Sequence, residues 1–440
     1  MLDYARLGRM AGTEIQALQD RTLARAITDR VYPCHRYYRR LMEEAGLGPA
    51  DLAGIAGLAR LPFTDRLVIK QEGDPRAFVL DLPPETPPAR RGLFGLGGRE
   101  PRAPSVDPSR PLRAMFAGGR TTPLTPIFYA QQDLDHLVEA GRRVFQVAGV
   151  DTGQPLVNAI PYGPGLPFWQ IAAATLDQGV TAVQTGGPRV MDVEKTLSAL
   201  VNLKAATLAG FPGFLAHLLR VGAGEGIRLE RLQRVLVTGE PLTEGFREHL
   251  RRLLAEVGSA AEVLGLYLNT EAKTGWAECA PGTGFHTNPD LEFLEIIDPD
   301  EGERLGPGET GELVITHLDA RGTFLLRYRT GDVVEGGLTV EPCPACGRTV
   351  PRLGSLVYPA AEAPLVPLRK CLDESPAVTL WQLAVSGGEV ALAVSPAGID
   401  PAGLPPAIAG LRRVEALPES ELHRRLGTDR EPREARIVLA

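Results

Sequence analysis

Two cysteines separated by two residues, Cys343 and Cys346, form the pattern with the clearest chemical meaning in this sequence. Two thiolates at this spacing can bind one zinc ion, and a structural zinc site usually has four nitrogen or sulfur ligands. Cys279 and His286 could supply the other two, because the proline and glycines between them allow that loop to turn. The four residues predict a closed, and therefore structural, zinc site.

Two other interpretations of these cysteines stay open at this point. Cys343 and Cys346 could be loose cysteines near a separate buried one, or they could form a redox pair. A redox pair usually lies at the start of a helix in a thioredoxin-like unit. Pro344 after the first cysteine and Gly347 after the second favour a metal knuckle.

The glycine-rich stretch at residues 92–98, GLFGLGG, suggests a different chemistry, the binding of a dinucleotide. That function requires a strand before the glycines and a helix after them. Prolines interrupt both flanks; they are Pro83, Pro84, Pro87, Pro88, Pro101 and Pro104. Residues 82–111 therefore predict a surface loop instead.

Short apolar runs alternate with amphipathic stretches between residues 112 and 265. This alternation predicts a parallel sheet covered by helices, in which ligands bind at the carboxyl ends of the strands. The loops at 161–165, 210–213 and 239–241 follow three of the runs and are the candidate binding loops. Residues 291–340 instead predict a β subdomain, and a small α+β unit follows residue 352.

The bulk composition excludes several classes of protein. The net charge of −7 argues against a surface for nucleic acid, which would usually be basic. No apolar run approaches the roughly 18 residues that a membrane helix needs, and the first residues lack the apolar core of a signal peptide. Five cysteines do not fit a secreted disulfide framework. A cytoplasmic protein without membrane or nucleic-acid partners is expected.

Several motifs lie in order over nearly the whole chain. They are Tyr37–Arg40 with Glu44–Gly46, Leu61–Thr64, Thr238–Pro241 (TGEP), Tyr267–Glu271 (YLNTE), Arg327–Asp332 (RYRTGD) and Cys343–Thr349 (CPACGRT). Together they resemble the phenylacetate–coenzyme A ligase family. The resemblance implies an α/β, adenylate-forming fold. Residues 1–352 would form a large domain with parallel sheets, a β subdomain and the zinc knuckle, and residues 353–440 a small α+β domain. It also strengthens the zinc prediction, because family members carry a Cys–His pair and a Cys pair in these places.

The resemblance also implies a reaction. Such enzymes activate a carboxylic acid with ATP to an acyl-adenylate and transfer the acyl group to coenzyme A. This chain would bind ATP or AMP with Mg²⁺, coenzyme A and a small carboxylic acid, and it could form a homodimer. The apolar segment at residues 161–169 has no obvious cation and indicates a hydrophobic acid.

Individual roles follow from the same resemblance. Asp332 would accept hydrogen bonds from the ribose hydroxyls, Glu271 would bind Mg²⁺, and Tyr267 would stack on the base. Thr121 and Thr270 would meet phosphate. Adenine would pack on Gly239, Glu240 and Pro241, and the acid pocket would be lined by Tyr162, Gly163, Phe168, Trp169, Phe211 and Pro212.

The sequence departs from the family where the phosphates should bind. The family's loop reads approximately SSGTTGKPT, whereas residues 117–125 read AGGRTTPLT. Hydroxyl donors, one glycine and the lysine are lost, and Pro123 removes a backbone N–H group. Arg120 could supply positive charge instead, since its guanidinium suits phosphate.

Three further departures lie outside that loop. Leu268 stands where the family has glycine, and the hinge at residues 354–357 reads GSLV. No lysine follows Lys370, so Arg433 is the nearest match to the family's C-terminal catalytic lysine. Loss of such preorganised charge typically costs about 3–4 kcal/mol of transition-state stabilisation.

Three functions therefore stay open. The chain could be an acid–coenzyme A ligase, or a non-catalytic or repurposed homologue that binds a nucleotide, an acyl ligand or a partner. It could also transfer the acyl group to another nucleophile.

Overall fold

The structure is a computed structural model that describes residues 1–83, 107–118, 124–399, 411, 413–428, 434 and 436–439. Its α-helices are α1 (Tyr4–Leu7), α2 (Gly12–Ala26), α3 (Tyr32–Cys34), α4 (Arg36–Glu44), α5 (Arg66–Glu72), α6 (Gln131–Ala148), α7 (Leu166–Asp177), α8 (Val193–Leu203), α9 (Pro212–Gly224), α10 (Glu244–Glu256), α11 (Val366–Glu374) and α12 (Glu419–Leu426). A π-helical turn covers Ile27–Val31, and 3-10 turns cover Pro49–Leu52, Ile55–Arg60, Pro75–Phe78 and Ala360–Leu365.

The strands alternate with helices in the first half of the chain and follow one another in the second. They are β1 (Arg113–Ala117), β2 (Thr125–Tyr129), β3 (Leu156–Asn158), β4 (Ala182–Gln184), β5 (Thr207–Gly210), β6 (Arg234–Val237), β7 (Glu262–Asn269), β8 (Thr274–Ala277), β9 (Phe285–His286), β10 (Glu292–Ile297), β11 (Gly311–His317), β12 (Tyr328–Glu335), β13 (Leu338–Thr339), β14 (Arg352–Leu353), β15 (Leu356–Pro359), β16 (Leu380–Ser386), β17 (Glu389–Ser395), β18 (Arg413–Ala416) and β19 (Ile437–Leu439).

The largest sheet has the order β13-β14-β9-β8-β7-β6-β5-β3-β4. Strands β4, β3, β5, β6 and β7 run parallel, which confirms the parallel sheet predicted from the alternating apolar runs. Successive strand residues point to opposite faces. Val235 packs with residues of α8, α9 and α10, while its neighbour Leu236 packs with residues of α6 and α7. Both faces of the sheet are thus buried under helices, as an all-parallel region requires.

Strand β7 joins the parallel part of this sheet to an antiparallel part, because its second half pairs with β8. A separate antiparallel sheet, β10-β11-β12-β15, forms the predicted β subdomain. The last part of the chain forms a four-stranded sheet, β18-β17-β16-β19, near helices α11 and α12. The α/β fold class predicted from the sequence is confirmed, whereas the domain boundary at residue 352 stays a prediction.

Local signals set the helix ends that position the site. Asp65 accepts a hydrogen bond from the Val68 N–H at 2.8 Å and begins α5. Thr243 begins α10 in the same way, and Gly149 ends α6 at a φ of 63°. Within the described ranges, no helix is both long and apolar enough to cross a membrane.

Candidate active site and metal centre

Two of the predicted binding loops touch each other directly at the carboxyl ends of β5 and β6. Gly239 has a φ of 87°, and a Cβ atom there would lie 2.4 Å from the ring of Phe211. Only glycine allows this approach. Pro212 is buried at the first position of α9, where a missing N–H group costs little.

Tyr267 and Asp332 meet across the boundary between the two sheets. The Tyr267 hydroxyl donates to Oδ2 of Asp332 at 2.7 Å, and the Asn269 side-chain amide donates to the Tyr267 oxygen at 3.1 Å. Burial, reinforced by the Asp332 charge, raises the pKa of Tyr267 well above its ordinary value. Tyr267 is therefore a permanent donor, and it fixes one oxygen of a carboxylate on β12.

Sequence reasoning missed Asn269 even though it lies in the YLNTE motif. Its side-chain oxygen accepts from the Ala272 N–H at 2.8 Å, so the amide has a fixed orientation. Tyr267, predicted to stack on a base, has its ring centroid 5.3 Å from that of Trp276. The stacking role stays a prediction.

Glu271 lies just beyond β7 and is buried against a cation. Arg66 donates to its Oε1 from Nη2 at 2.7 Å and from Nε at 3.1 Å, and the Tyr328 hydroxyl donates to the same oxygen at 3.2 Å. The sequence predicted Glu271 as a magnesium ligand but gave no sign of Arg66, which is 205 residues away along the chain. Only the docking of α5 against this corner reveals the pair.

Thr270 uses its side chain within the protein. Its Oγ1 accepts from the Leu166 N–H at 3.1 Å, at the first residue of α7. Its carbonyl accepts from the Tyr129 hydroxyl at 2.7 Å. The predicted contact with phosphate is not tested by these bonds, which instead fix the start of α7 relative to β7.

The residues predicted to line the acid pocket include an aromatic cluster. The Tyr162, Phe168 and Trp169 rings meet edge to face, with centroids 5.5–5.6 Å apart. The indole N–H of Trp169 donates to the Gly163 carbonyl at 3.0 Å. The guanidinium of Arg113 lies 4.1 Å from the Trp169 ring centroid. No cation was expected here from residues 161–169, because Arg113 arrives from β1 rather than from that segment.

The C-terminal segment reaches two of the predicted loops. The Glu434 N–H donates to Oε1 of Glu240 at 3.3 Å. A Cβ atom at Gly213 would lie 2.1 Å from Cδ of Glu434, so that glycine leaves room for the carboxylate. Burial would raise the pKa of Glu434, but Arg436 and Thr428 outweigh it and lower that pKa.

The four predicted zinc ligands come together at one place. The ligand atoms of Cys279, His286, Cys343 and Cys346 all lie within 4.8 Å of one another. Cys279 Sγ lies 3.6 Å from Cys343 Sγ, and Cys346 Sγ lies 3.3 Å from His286 Nε2. This grouping disagrees with the interpretation that the cysteines are loose and unrelated.

The imidazole of His286 is in a state in which it can act as a metal ligand. Burial lowers the pKa of His286 to about 4, so the ring is neutral at pH 7. Its Nδ1 lies 3.3 Å from the Ala277 carbonyl, to which it can donate, which leaves Nε2 as the free lone pair. His286 stands on β9, between β8 and β14, so a metal here would fasten the antiparallel edge of the largest sheet.

Comparison with known families assigns the chain. The family model that matches is that of the AMP-binding enzymes, over residues 83–318, more than half of the chain. The chain belongs to the AMP-binding enzyme family.

Curated relatives of this AMP-binding enzyme include two bacterial phenylacetate–coenzyme A ligases. The protein from Thermus thermophilus is 27% identical over 363 residues, which span 81% of this chain and 73% of the relative. The protein from Pseudomonas putida is 25% identical over 364 residues, with 80% and 73% of the two chains covered. The resemblance to phenylacetate–coenzyme A ligases is thereby confirmed, at the identity of a divergent member.

Solved structures with the same fold include 2-hydroxyisobutyryl-CoA ligase. In its postadenylation state with R3-HIB-AMP, it matches with a TM-score of 0.74 at 18% identity, over 99% of this chain and 92% of that one. An open conformation with 2-HIB-AMP and CoA gives a TM-score of 0.63 at 21% identity, over 81% and 77%. At these identities the match establishes the fold.

The structure of this AMP-binding enzyme describes two of the positions at which the sequence departs from the family pattern. Leu268 packs against the same two hydrophobic core clusters as Phe168 and Trp169, and its Cδ2 would lie 2.2 Å from a Cβ atom at Gly275 on β8. Its expected position near the substrate or nucleotide stays a prediction. In the hinge, a Cβ atom at Gly354 would lie 1.8 Å from the Glu335 carbonyl oxygen.

Three of the residues predicted near the phosphates are not described by the structure. Arg120, Thr121 and Arg433 lie outside the described residues, as does the glycine-rich stretch at 92–98. Their roles stay predictions.

Proposed function

We propose that this AMP-binding enzyme activates a small, apolar carboxylic acid with ATP and transfers the acyl group to coenzyme A. The observation that carries the proposal is the 2.7 Å hydrogen bond from Tyr267 to Asp332. It orients a carboxylate that can accept from two vicinal hydroxyls, as a ribose presents. Relatives named as coenzyme A ligases support the thiol acceptor.

The reaction needs two displacements. An oxygen of the acid attacks the α-phosphorus of ATP, pyrophosphate leaves, and an acyl-adenylate remains. The thiolate of coenzyme A then attacks the acyl carbon, and AMP leaves with the bond electrons. The first step turns a poor electrophile into a good one, so the enzyme's task is mainly positioning and charge stabilisation.

The nucleotide and the acid each have candidate partners in the protein. Asp332 would hold the ribose, and the Gly239 turn would let adenine approach the backbone closely. The acid would lie near the aromatic cluster of Tyr162, Phe168 and Trp169, which favours an apolar or aromatic acid.

Glu271 is the candidate magnesium ligand, since a hard cation prefers carboxylate oxygen. Arg66 and Tyr328 both donate to Oε1 of this carboxylate and would orient it for the ion. Mg²⁺ would neutralise phosphate charge. Arg66 adds a fixed positive charge at the same corner.

The direct test is acid-dependent pyrophosphate release by the full chain. We expect ATP, Mg²⁺ and an aromatic acid such as phenylacetate or benzoate to release pyrophosphate, and coenzyme A to yield the thioester by mass spectrometry. A panel of aliphatic, aromatic and dicarboxylic acids that gave no acid-dependent pyrophosphate would overturn the proposal.

A second candidate function is that of a nucleotide-binding homologue without ligase activity. It is favoured by the C-terminal segment, which carries no lysine after Lys370 and seats Glu434 on Gly213 beside Glu240. Thermal-shift measurements separate the two. Stabilisation by AMP alone supports the homologue, whereas stabilisation by ATP with Mg²⁺ and by coenzyme A supports the ligase.

We also propose that Cys279, His286, Cys343 and Cys346 hold one structural zinc ion. Three sulfurs and one imidazole nitrogen match zinc's preferred ligands, and four protein ligands leave no open position for chemistry. The purified chain should contain about one zinc per molecule by elemental analysis.

Changing Cys343 to serine tests this zinc site. The variant should lose the metal and unfold at a lower temperature, because binding energy at a structural site is folding energy. Cys371→Ser, a change outside the cluster, is the matched control. Retention of the zinc by Cys343→Ser would contradict the assignment.

The cytoplasmic location, the homodimer and the division into domains at residue 352 stay predictions from the sequence. Size-exclusion chromatography with light scattering tests the homodimer.

A further inference from the structure

The turn at residues 270–273 joins β7 to β8 and carries Glu271, the candidate magnesium ligand. Its last residue, Lys273, has a φ of 61°, in the left-handed region that lysine rarely adopts. The Lys273 N–H donates to the Thr270 carbonyl at 3.3 Å, which closes the turn. A backbone conformation of this kind persists only where surrounding contacts hold it.

The side chain of Lys273 fixes the end of the turn. It is 4% exposed, and its ammonium donates to the Phe128 carbonyl on β2 and to Oδ2 of Asp133 on α6, both at 2.9 Å. The ammonium also lies 5.0 Å from the centroid of the Tyr129 ring. Because hydrogen bonds between charged groups are strong, the turn is tied to both β2 and α6.

Asp133, the partner of Lys273, is itself held in place. It is 1% exposed and lies in the first turn of α6. Its carboxylate also accepts from three backbone N–H groups, those of Ala130 at 2.9 Å, Arg321 at 3.0 Å and Gly322 at 2.7 Å. Movement of this carboxylate would leave several buried donors unpaired. Lys273 is therefore bound to a rigid part of the protein.

His317, the last residue of β11, fixes the middle of the turn. Its ring is buried, with Nε2 2.8 Å from the Glu271 carbonyl oxygen and Nδ1 3.1 Å from the backbone nitrogen of Leu325. The Leu325 N–H can only donate, so Nδ1 is the acceptor and Nε2 carries the hydrogen. The imidazole thus donates to the backbone of Glu271, whereas Arg66 and Tyr328 donate to its side chain.

We propose that His317 is a positioning residue for Mg²⁺. Through the Glu271 carbonyl it holds the carboxylate of that residue where it meets the ion, and the Lys273–Asp133 pair holds the end of the same turn. This inference rests on the proposed function, in which Glu271 binds Mg²⁺. In this role His317 itself contacts neither the ion nor the nucleotide. Without its hydrogen bond, the ion would have to order the turn, and that cost would weaken Mg²⁺ binding.

Calorimetric titration of the full chain with ATP, with and without Mg²⁺ and without any acid, tests the proposal. The readout is the factor by which Mg²⁺ raises the affinity for ATP, which requires no turnover. We expect His317→Asn to lower this factor about tenfold, because groups that orient a metal ligand typically contribute at least that much to metal affinity. The affinity for ATP without Mg²⁺ should not change.

His317→Gln is the matched control. The amide nitrogen of glutamine can reach the position of Nε2, whereas the amide of asparagine reaches only the position of Nδ1. His317→Gln should therefore keep the hydrogen bond to Glu271 and the wild-type factor. A histidine with a merely structural role would lower the unfolding temperature in both variants and leave the Mg²⁺ factor unchanged in both.

A double variant tests the other end of the turn and serves if His317→Asn does not fold. Lys273→Met combined with Asp133→Asn removes the ion pair without leaving a buried charge unpaired. We expect it to lower the Mg²⁺ factor about tenfold as well. Lys195→Met combined with Asp192→Asn, at an exposed ion pair of 2.5 Å, is its control and should behave like the wild type.

Three results would overturn the positioning role. They are a wild type whose ATP affinity does not depend on Mg²⁺, an unchanged factor in His317→Asn and in the Lys273–Asp133 double variant, and an equal loss in His317→Asn and His317→Gln. Acid-dependent pyrophosphate release by the wild type is measured separately. If that release is absent while the variants behave as expected, the ligase proposal fails and the role of His317 stands.

Discussion

At one end of the proposed active site, Tyr267 on β7 and Asp332 on β12 are joined by a hydrogen bond of 2.7 Å. At the other end, Glu271 lies just past β7 and is paired with Arg66 from α5. We call these the nucleoside end and the phosphate end. The first joins two strands of different sheets, whereas the second depends on a helix and on loops that follow strands.

The difference matches where the sequence departs from the family. The motifs YLNTE and RYRTGD keep most of their pattern; they supply Tyr267 and Asp332 of the nucleoside end, and YLNTE also supplies Glu271. Residues 117–125 and Arg433, expected at the phosphate end, do not. A polar network buried between sheets tolerates little change, because an unpaired member costs free energy. Loops tolerate more, so they are where the chemistry of this fold can diverge.

The largest expected effect comes from breaking the nucleoside end. Asp332→Ala should weaken AMP binding about 30-fold, or about 2 kcal/mol, because charged acceptors contribute roughly 1.5–3 kcal/mol each. Calorimetric titration with AMP measures this, and Asp332→Asn, which keeps one acceptor oxygen, is the matched control. Equal AMP affinity in the wild type and Asp332→Ala would show that Asp332 does not bind the nucleotide.

A smaller effect should follow at the phosphate end. Arg66→Ala leaves the buried Glu271 carboxylate without its cation, so Mg²⁺ should bind more tightly. We expect the Mg²⁺ concentration for half-maximal pyrophosphate release to fall about tenfold, the equivalent of about 1.4 kcal/mol. Arg66→Lys keeps the charge and should behave like the wild type. A rise in the Mg²⁺ requirement would instead mean that Arg66 organises the magnesium ligand.

The missing lysine offers a gain-of-function test of the same comparison. Arg433→Lys should speed acid-dependent pyrophosphate release about fivefold, because a compact ammonium is a better point charge than a guanidinium here. AMP affinity should not change. Arg425→Lys, at a surface ion pair with Glu415, is the control. A slower Arg433→Lys enzyme would indicate that arginine has taken over the role.

The smallest effect should come from Tyr267→Phe. This change removes the hydroxyl that orients Asp332 but keeps the ring near Trp276. AMP binding should weaken about threefold, or about 0.7 kcal/mol, because the change removes the orientation of Asp332 but leaves its carboxylate to meet the ribose. The Mg²⁺ requirement should stay the same. A larger change in the Mg²⁺ requirement than in AMP affinity would show that the two ends are not separable.

Much of the fold could be predicted from the sequence because its signals are local. Apolar runs near 156, 207 and 234 alternate with amphipathic stretches, and this pattern requires a sheet buried on both faces. The cysteine spacing at 343 and 346, with Cys279 and His286, predicted a cluster that the structure brings within 4.8 Å. Motif order was enough to predict the family.

Other features could not be predicted, since they join residues far apart in the chain. Arg66 meets Glu271, which is 205 residues away in the chain, and Arg113 on β1 lies over the ring of Trp169 on α7. A cavity of about 200 Å³ forms where Ile15 on α2 meets Phe293 on β10 and Leu338 on β13. A side chain's type and neighbours in sequence cannot reveal such pairings.

The sequence by itself determined the family, the parallel sheet, and the four residues of the cysteine–histidine cluster. These depend on periodicity, spacing and motif order, which are properties of short segments. Only the tertiary structure decided that Glu271 is paired with Arg66, that Tyr267 orients Asp332, and that Glu292 accepts from the Trp276 indole N–H. The physical reason is that charge pairing and burial depend on distance in space, which folding sets between segments that the sequence keeps apart.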